Sequence, residues 1–323
     1  MKNYLLSALF LTFLIAFTPF VILISSDSKA SVPIENVPSP TVDGDTVRVL
    51  QVSSNRVLET DITEYLIGAV ASEMPASFNE EALKAQAVAS YTYLKWIILN
   101  SDNASNELWD ISDDSSTHQG FLTTEKMKER WGDKYDTYYG KIKKAVESVK
   151  SEYVAYNSEP ILAVFHGLSC GQTADSTDMW KETLPYLVSV DAPGDKLSPD
   201  LVSVNSFKYS EISSLIEGID GISTEKISKK DWIKIISTSQ NGYVTEVAVG
   251  NSTVSGTELR ALLSLKSPNF TVDAQDSKIE FTVYGKGHGL GMSQYSADFM
   301  ARQGYNYKEI LAHFYPGTEL LKD

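Results

Sequence analysis

From Tyr4 to Ile24 the chain runs for 21 residues without a charged side chain, with only Ser7, Thr12, Thr18 and Pro19 among the apolar groups. No other feature constrains folding as strongly, because a run of this length matches the roughly 20 residues that cross a bilayer as a helix. The reading is a single N-terminal transmembrane helix. Lys2 ahead of the span places residues 1–3 in the cytoplasm and everything after Ile24 outside. A signal peptide cleaved after Ser28-Lys29-Ala30 is the competing reading; its apolar core spans about 7 to 15 residues, so length favours the uncleaved anchor. Residues 25–45 are rich in Ser, Pro and Asp, without periodicity, and read as a flexible linker.

The folded part is then expected over residues 46–323, as one large unit or as two lobes. Of the 323 residues 42% are apolar and 22% charged, the balance of a globular protein. Lys and Arg number 28 against 42 Asp and Glu, a net charge of -14, which removes the electrostatic footprint of nucleic-acid binding. The single cysteine, Cys170, excludes an intramolecular disulfide and a thiolate zinc site. Along the chain, 47–56 reads as a strand. A helix is expected from Ser77, capped with Glu80 and carrying Leu83, Ala87, Tyr91 and Leu94 on one face as far as Trp96. Residues 100–117 are polar and turn-rich, 125–150 helical, and 153–156 and 161–165 strand-like. Two β-rich runs around Asn241-Gly242 predict a hairpin with a type I′ turn. The fold class is α+β, with mixed antiparallel sheets and helices.

Three clusters carry chemistry. Glu73 lies in Ala71-Ser72-Glu73-Met74-Pro75, ahead of the expected helix, where Pro75 disfavours helical geometry at Met74. An apolar setting there would raise its pKa toward that of a general acid; a surface or capping carboxylate is the plainer alternative. The segment from Gly285 to Gly291 alternates glycine with other residues but lacks the continuation of a phosphate loop or dinucleotide motif. His288 within it and Gln294 and Tyr295 after it offer groups suited to sugar hydroxyls or an acetamido group, with a buried structural histidine as the alternative. Phe165-His166-Gly167-Leu168-Ser169-Cys170-Gly171-Gln172-Thr173 follows an apolar run as a polar loop, and His166 with Cys170 is a weak thiol-nucleophile pattern.

Taken in this order, ASEMPASFNEEALKAQAVASYTYLKW (71–96), VFHGLSCGQTADSTDMW (164–180) with PYLVSVDAP (185–193), and GKGHGLGMSQYSADFMARQGYNYKEILAHFYPGTEL (285–320) resemble the stage II sporulation protein D family, peptidoglycan lytic transglycosylases. The resemblance implies a cleft with Glu73 as the catalytic residue, and Lys84, Gln86, His166, Ser169, Thr173, His288, Gln294 and Tyr295 as the residues around the substrate. It implies cleavage of the β-1,4 bond between N-acetylmuramic acid and N-acetylglucosamine to give 1,6-anhydro ends, during engulfment in sporulation, by an extracytoplasmic domain held at the cell membrane. The implied partners are glycan strands, the sporulation amidase (stage II sporulation protein P) and its membrane partner (stage II sporulation protein M). Two departures stand out. Tyr91 occupies the place of an arginine common in the family, and the region where some members bind zinc offers only Asn106, Ser112, Thr117 and His118, so no metal or cofactor is expected. The competing functions are a non-catalytic glycan-binding scaffold and a Cys170-dependent wall peptidase.

Overall fold

In a computed structural model of the chain, residues 46–100, 108–216, 219 and 221–323 are described. The anchor expected at 4–24, the linker at 25–45 and Asn106 lie outside the described residues, none of whose helices is long and apolar enough to cross a membrane. The described chain is α+β with several small sheets. It opens with β1 (Thr46–Gln51) and β2 (Arg56–Asp61), paired antiparallel from Thr46↔Asp61 to Gln51↔Arg56. The single strand expected over 47–56 therefore stops at Gln51. Ser53, Ser54 and Asn55 turn the chain, Asn55 with φ of 50°, because short polar side chains satisfy turn backbone that a strand would leave to a partner.

Helix α1 (Ile62–Glu73) follows, capped by the Asp61 carboxylate, which accepts the N–H of Thr63 (2.7 Å) and Glu64 (3.3 Å); such a cap contributes about 1 kcal/mol. It was not legible as a helix. Tyr65 to Ala71 are buried without a break, so the helix has no polar face and hence no 3.6-residue stripe. Helix α2 (Glu80–Asn100) starts later than the Ser77 box and runs beyond Trp96. Asn79 supplies the first-turn acceptor, taking the Glu81 N–H at 3.0 Å, while Phe78 N–H turns back to Pro75 O. The short β3 (Ile111–Ser112) joins β1 in parallel. Residues expected to be helical at 125–150 form α3 (Thr124–Trp131) and α4 (Tyr135–Ser148).

Strand β4 (Glu152–Tyr156) pairs with β5 (Glu159–Pro160), and the continuous strand expected over 161–165 is largely irregular. Its N–H groups turn back locally, Ala163 to Ile161 O and Val164 to Leu162 O, before the two-residue β6 (Phe165–His166). After α5 (Ser176–Trp180), strand β7 (Val202–Lys208) and helix α6 (Tyr209–Ile216) lead to β8 (Ile233–Thr238), β9 (Val244–Val249), β10 (Ser252–Val254), α7 (Gly256–Leu262), β11 (Phe270–Ala274) and β12 (Lys278–Tyr284). The antiparallel orders are β10-β9-β8 and β11-β12-β7. The hairpin at β8–β9 is present but not its type I′ turn, since of Asn241 and Gly242 only Gly242 has positive φ (82°). A longer loop closes with Ser239 N–H on Tyr243 O, freeing the Asn241 amide to reach Ser189 Oγ at 2.6 Å. The chain ends with β13 (Met292–Ser293), parallel to β6, then α8 (Gln294–Arg302), α9 (Tyr307–Phe314) and β14 (Glu319–Lys322), which pairs with β4.

Two buried clusters organise this chain. One joins α1, α2, α4, α8 and α9 through Tyr65, Leu83, Leu94, Ile142, Ala297, Ile310 and Phe314. The other lies among β7 to β12 through Ile212, Val247, Leu259, Phe270, Phe281 and Val283. Residues 285–291 carry the chain from the second to the first, past a small cluster of Ala174, Tyr243 and Leu290. That crossing brings the third sequence cluster onto the first two.

Candidate active site

Glu73 is the last residue of α1 rather than the entrance to the next helix. Pro75 has the effect its position predicts: Met74 is extended (φ −116°, ψ 143°) and ends the helix. A carboxylate at a helix C-terminus meets the negative end of the helix dipole, which favours the protonated form. Burial acts the same way and is the largest influence raising the Glu73 pKa; the Gly120 N–H, the Gln294 side chain and the Lys286 charge oppose it in that order. The Gly120 N–H donates to Glu73 Oε1 at 2.6 Å. A side chain at 120 would meet Ser72 and come within 3.0 Å of that same oxygen, so only glycine lets the backbone approach this closely.

The turn that follows Glu73 is held by cations. Arg130 donates to Ala71 O at 3.1 Å, a last-turn carbonyl that α1 leaves unpaired, and Lys141 Nζ donates to Ala76 O (3.1 Å) and Phe78 O in the turn itself. Asn79 N–H is fixed by Asp298 Oδ1 at 2.6 Å. Behind Glu73, Gln119 donates to Tyr65 OH (2.7 Å) and Ser90 O (3.1 Å), while its Oε1 is buried without a partner. The phenols of Tyr65 and Tyr93 are pushed up by burial, with the charge of Glu73 adding to the effect.

Of the residues singled out in the sequence, Gln86, Gln294 and Tyr295 gather here. Gln294 opens α8 behind its Ser293 cap, turns its side chain to Glu73, and donates to Gln86 Oε1 at 3.1 Å; Gln86 in turn donates to Ser90 Oγ at 3.1 Å. Tyr295 N–H donates to Gly167 O at 3.2 Å, and its ring meets Phe78 edge-on at 6.4 Å. His166 and His288 stand 5.9 Å apart, ring to ring. Burial pushes both below the ordinary imidazole range, His288 down to about 3. His166 Nδ1 pairs with Leu290 O at 3.0 Å, leaving Nε2 buried and unpartnered, whereas His288 Nδ1 accepts the Leu290 N–H at 3.1 Å.

Lys84, Ser169 and Thr173 have other partners. Lys84 pairs with Glu81 (2.7 Å) and Glu80 (3.5 Å) along α2. Ser169 donates to the buried Asp195 at 2.6 Å, and Thr173, fully buried, accepts the Val190 N–H at 2.9 Å. Lys286 and Gln119 were not anticipated. Lys286 sat in a motif read for its glycines, and the one signal for Gln119 was an amide beside a glycine at the end of a polar stretch. Lys286 exchanges backbone hydrogen bonds with Leu168 (2.7 and 3.0 Å), and its side-chain stem lies against Gly167.

Tyr91 donates to Asp323 at 2.6 Å beside the Lys95–Asp323 ion pair. His118 Nδ1 pairs with Ser112 Oγ at 2.8 Å, and among the described residues no three His, Cys, Asp or Glu side chains converge to hold a metal. Burial raises the Cys170 thiol, the reverse of nucleophile activation, and the unpartnered His166 Nε2 makes no bond to it.

Comparison with known proteins follows the same residues. The family model described as "Stage II sporulation protein" matches residues 51–156, which contain Glu73, Gln86 and Gly120. Stage II sporulation protein D of Bacillus subtilis (strain 168) is 33% identical over 274 residues, 85% of this chain and 78% of that protein. Its counterpart in Bacillus amyloliquefaciens is 32% identical over 275 residues, 85% and 78% respectively. A protein named amidase enhancer in Bacillus subtilis (strain 168) is 27% identical over 303 residues, covering 79% of this chain and 40% of its own.

Proposed function

The chain belongs to the stage II sporulation protein D family, and on that premise we propose that it is a lytic transglycosylase acting on peptidoglycan glycan strands, with Glu73 as its one acid and base. The observation that carries this is the setting of Glu73. Among the described residues the groups acting on it are a backbone N–H, an amide side chain and a lysine, not a second carboxylate. Hydrolytic glycosidases ordinarily need two carboxyl groups, one to protonate the leaving oxygen and one to attack or to activate water. A single carboxyl suffices when the substrate brings its own nucleophile.

The protonated Glu73 gives its proton to the glycosidic oxygen between N-acetylmuramic acid and N-acetylglucosamine, and the C1–O bond breaks with the electron pair leaving on that oxygen. The C6 hydroxyl of the muramic ring attacks C1, and its proton passes to the Glu73 carboxylate, which restores the acid. Intramolecular attack carries the advantage of proximity, so the protein's part is to hold a distorted ring and support the positive charge developing at C1. Burial favours the protonated form with which the cycle starts, and the Gly120 N–H and Gln294 stabilise the anion it becomes. Lys286, Gln294 and Tyr295 are the side chains proposed to face the strand, with the buried His166 supporting them from behind. The same reading places the chain at the cell membrane through residues 4–24, acting outside during engulfment beside the sporulation amidase and its membrane partner.

The test is digestion of purified glycan strands, with and without stem peptides, followed by mass analysis of the ends. New ends should be 1,6-anhydromuramic, lighter by one water than the hydrolysed sugar. Reducing muramic ends instead would refute a transglycosylase, and uncleaved strands would leave the glycan-binding scaffold as the better account.

A further inference from the structure

Asp195 is fully buried, and among the described residues its hydrogen-bond partners are one N–H and three hydroxyls, none of them a cation. Oδ2 accepts from both Ser169 N–H and Ser169 Oγ at 2.6 Å; Oδ1 accepts from Ser293 Oγ at 2.7 Å and Ser296 Oγ at 2.8 Å, with Ser293 also 2.9 Å from Oδ2. Each hydroxyl is itself committed to a backbone donor. Ser169 Oγ accepts from Gly171 N–H (3.1 Å), Ser293 Oγ from Ser296 N–H (3.3 Å) and Ser296 Oγ from Gly194 N–H (3.0 Å). The arrangement is therefore directional, with every serine proton pointing at one carboxylate.

The three serines also have a telling distribution. Ser293 and Ser296 bracket Gln294 and Tyr295 at the start of α8, and Ser169 lies two residues beyond Gly167, whose carbonyl takes the Tyr295 N–H. A carboxylate that a buried site can tolerate only when fully hydrogen-bonded thus ties the start of α8, which carries Gln294 toward Glu73, to the Gly167–Ser169 segment bonded to it. We propose that Asp195 is a positioning residue for the reaction at Glu73: it pins the Gly167–Gln294–Tyr295 wall so that the Gln294 side chain reaches the Glu73 carboxyl group. Its role in the reaction rests on the transglycosylase reading; its control of Gln294 does not. Of the other groups facing Glu73, the Gly120 N–H and the phenols of Tyr65 and Tyr93 have no hydrogen bond to Asp195, whereas Lys286 is tied to the same wall through its backbone bonds with Leu168, and its charge holds the Glu73 pKa down in the same direction as Gln294.

Asp195→Asn keeps the shape and an oxygen for the Ser169 N–H, but turns two donor hydrogens toward Ser293 and Ser296, whose own protons lose their acceptor. In the full chain, kcat on glycan strands should fall between about ten- and a hundredfold, the scale of a small misplacement of catalytic groups, with KM within about twofold. A merely structural residue would not move the second readout, the ¹³C titration of the Glu73 carboxyl, identified by its absence in Glu73→Gln. Because the Gln294 bond holds that pKa down, its loosening should move the midpoint to higher pH. Ser296→Ala removes one hydroxyl from the same carboxylate while leaving the Ser293 cap of α8 in place, and should shift both readouts in the same direction by less; it decides the matter if Asp195→Asn does not fold. A folded variant in which kcat and the Glu73 midpoint both stay unchanged overturns the proposal, whatever its melting temperature. If the unaltered chain leaves strands intact, the transglycosylase reading fails, and the Glu73 titration still decides whether Asp195 sets its surroundings.

Discussion

Glu73→Gln is expected to lower strand cleavage by about 10² to 10⁴, the contribution usually made by a positioned acid–base group, while strands still bind. Glutamine keeps the length and an oxygen for the Gly120 N–H, so the turn at Met74-Pro75 and the approach of residue 120 need not change. It has no proton to give and cannot take one back, so both halves of the cycle fail together. Initial rates of product release and co-sedimentation of the variant with glycan separate the two effects; cleavage at the wild-type rate would remove Glu73 from the chemistry. In the unaltered protein, the raised pKa extends the protonated form to higher pH than an ordinary glutamate. As pH rises through the Glu73 pKa the acid is lost, so kcat/KM should fall on that side.

The largest effect on stability is expected at Gly291. Just ahead of β13, Gly291 packs on Val164, just ahead of β6: the residue has φ of 67°, and a Cβ would overlap Val164 O and lie 3.2 Å from the Tyr315 ring. Val164 O cannot move aside, because it accepts both the Met292 N–H (3.2 Å) and the Tyr315 hydroxyl (2.8 Å). Gly291→Ala therefore combines a left-handed backbone with overpacking against fixed backbone, together about 3 to 5 kcal/mol. For a domain of this size that is a fall of about 10 °C in melting temperature, measurable by scanning calorimetry. A shift below about 2 °C would mean that the two strands can separate without loss.

The elements that announced themselves in the sequence were those with one wet face and one dry one. Helix α2 and the β8–β9 hairpin alternate polar and apolar groups at their own periods. Helix α1, which carries Glu73, is dry all round and gave no period, and the site was found through the proline that ends it and through the family resemblance. The hairpin turn was misjudged because Asn241 is spent on Ser189 rather than on its own turn, a use only the tertiary structure reveals. Residues chosen from motif membership divided for a related reason. Gln86, Gln294 and Tyr295 reach Glu73's surroundings, but Ser169 and Thr173 are turned inward to Asp195 and Val190, and motif text does not say which way a hydroxyl faces. Lys286 gave no signal of its own, because the glycines on either side of it read as backbone geometry.

One measurement tests most directly the claim that the substrate supplies the nucleophile and Glu73 alone handles the protons. Strands digested in ¹⁸O-labelled water should yield new muramic ends without label, since ring closure by the C6 hydroxyl admits no solvent oxygen at C1. Label at C1 in the initial products would contradict it, showing that water is the nucleophile and that the chain is a hydrolase.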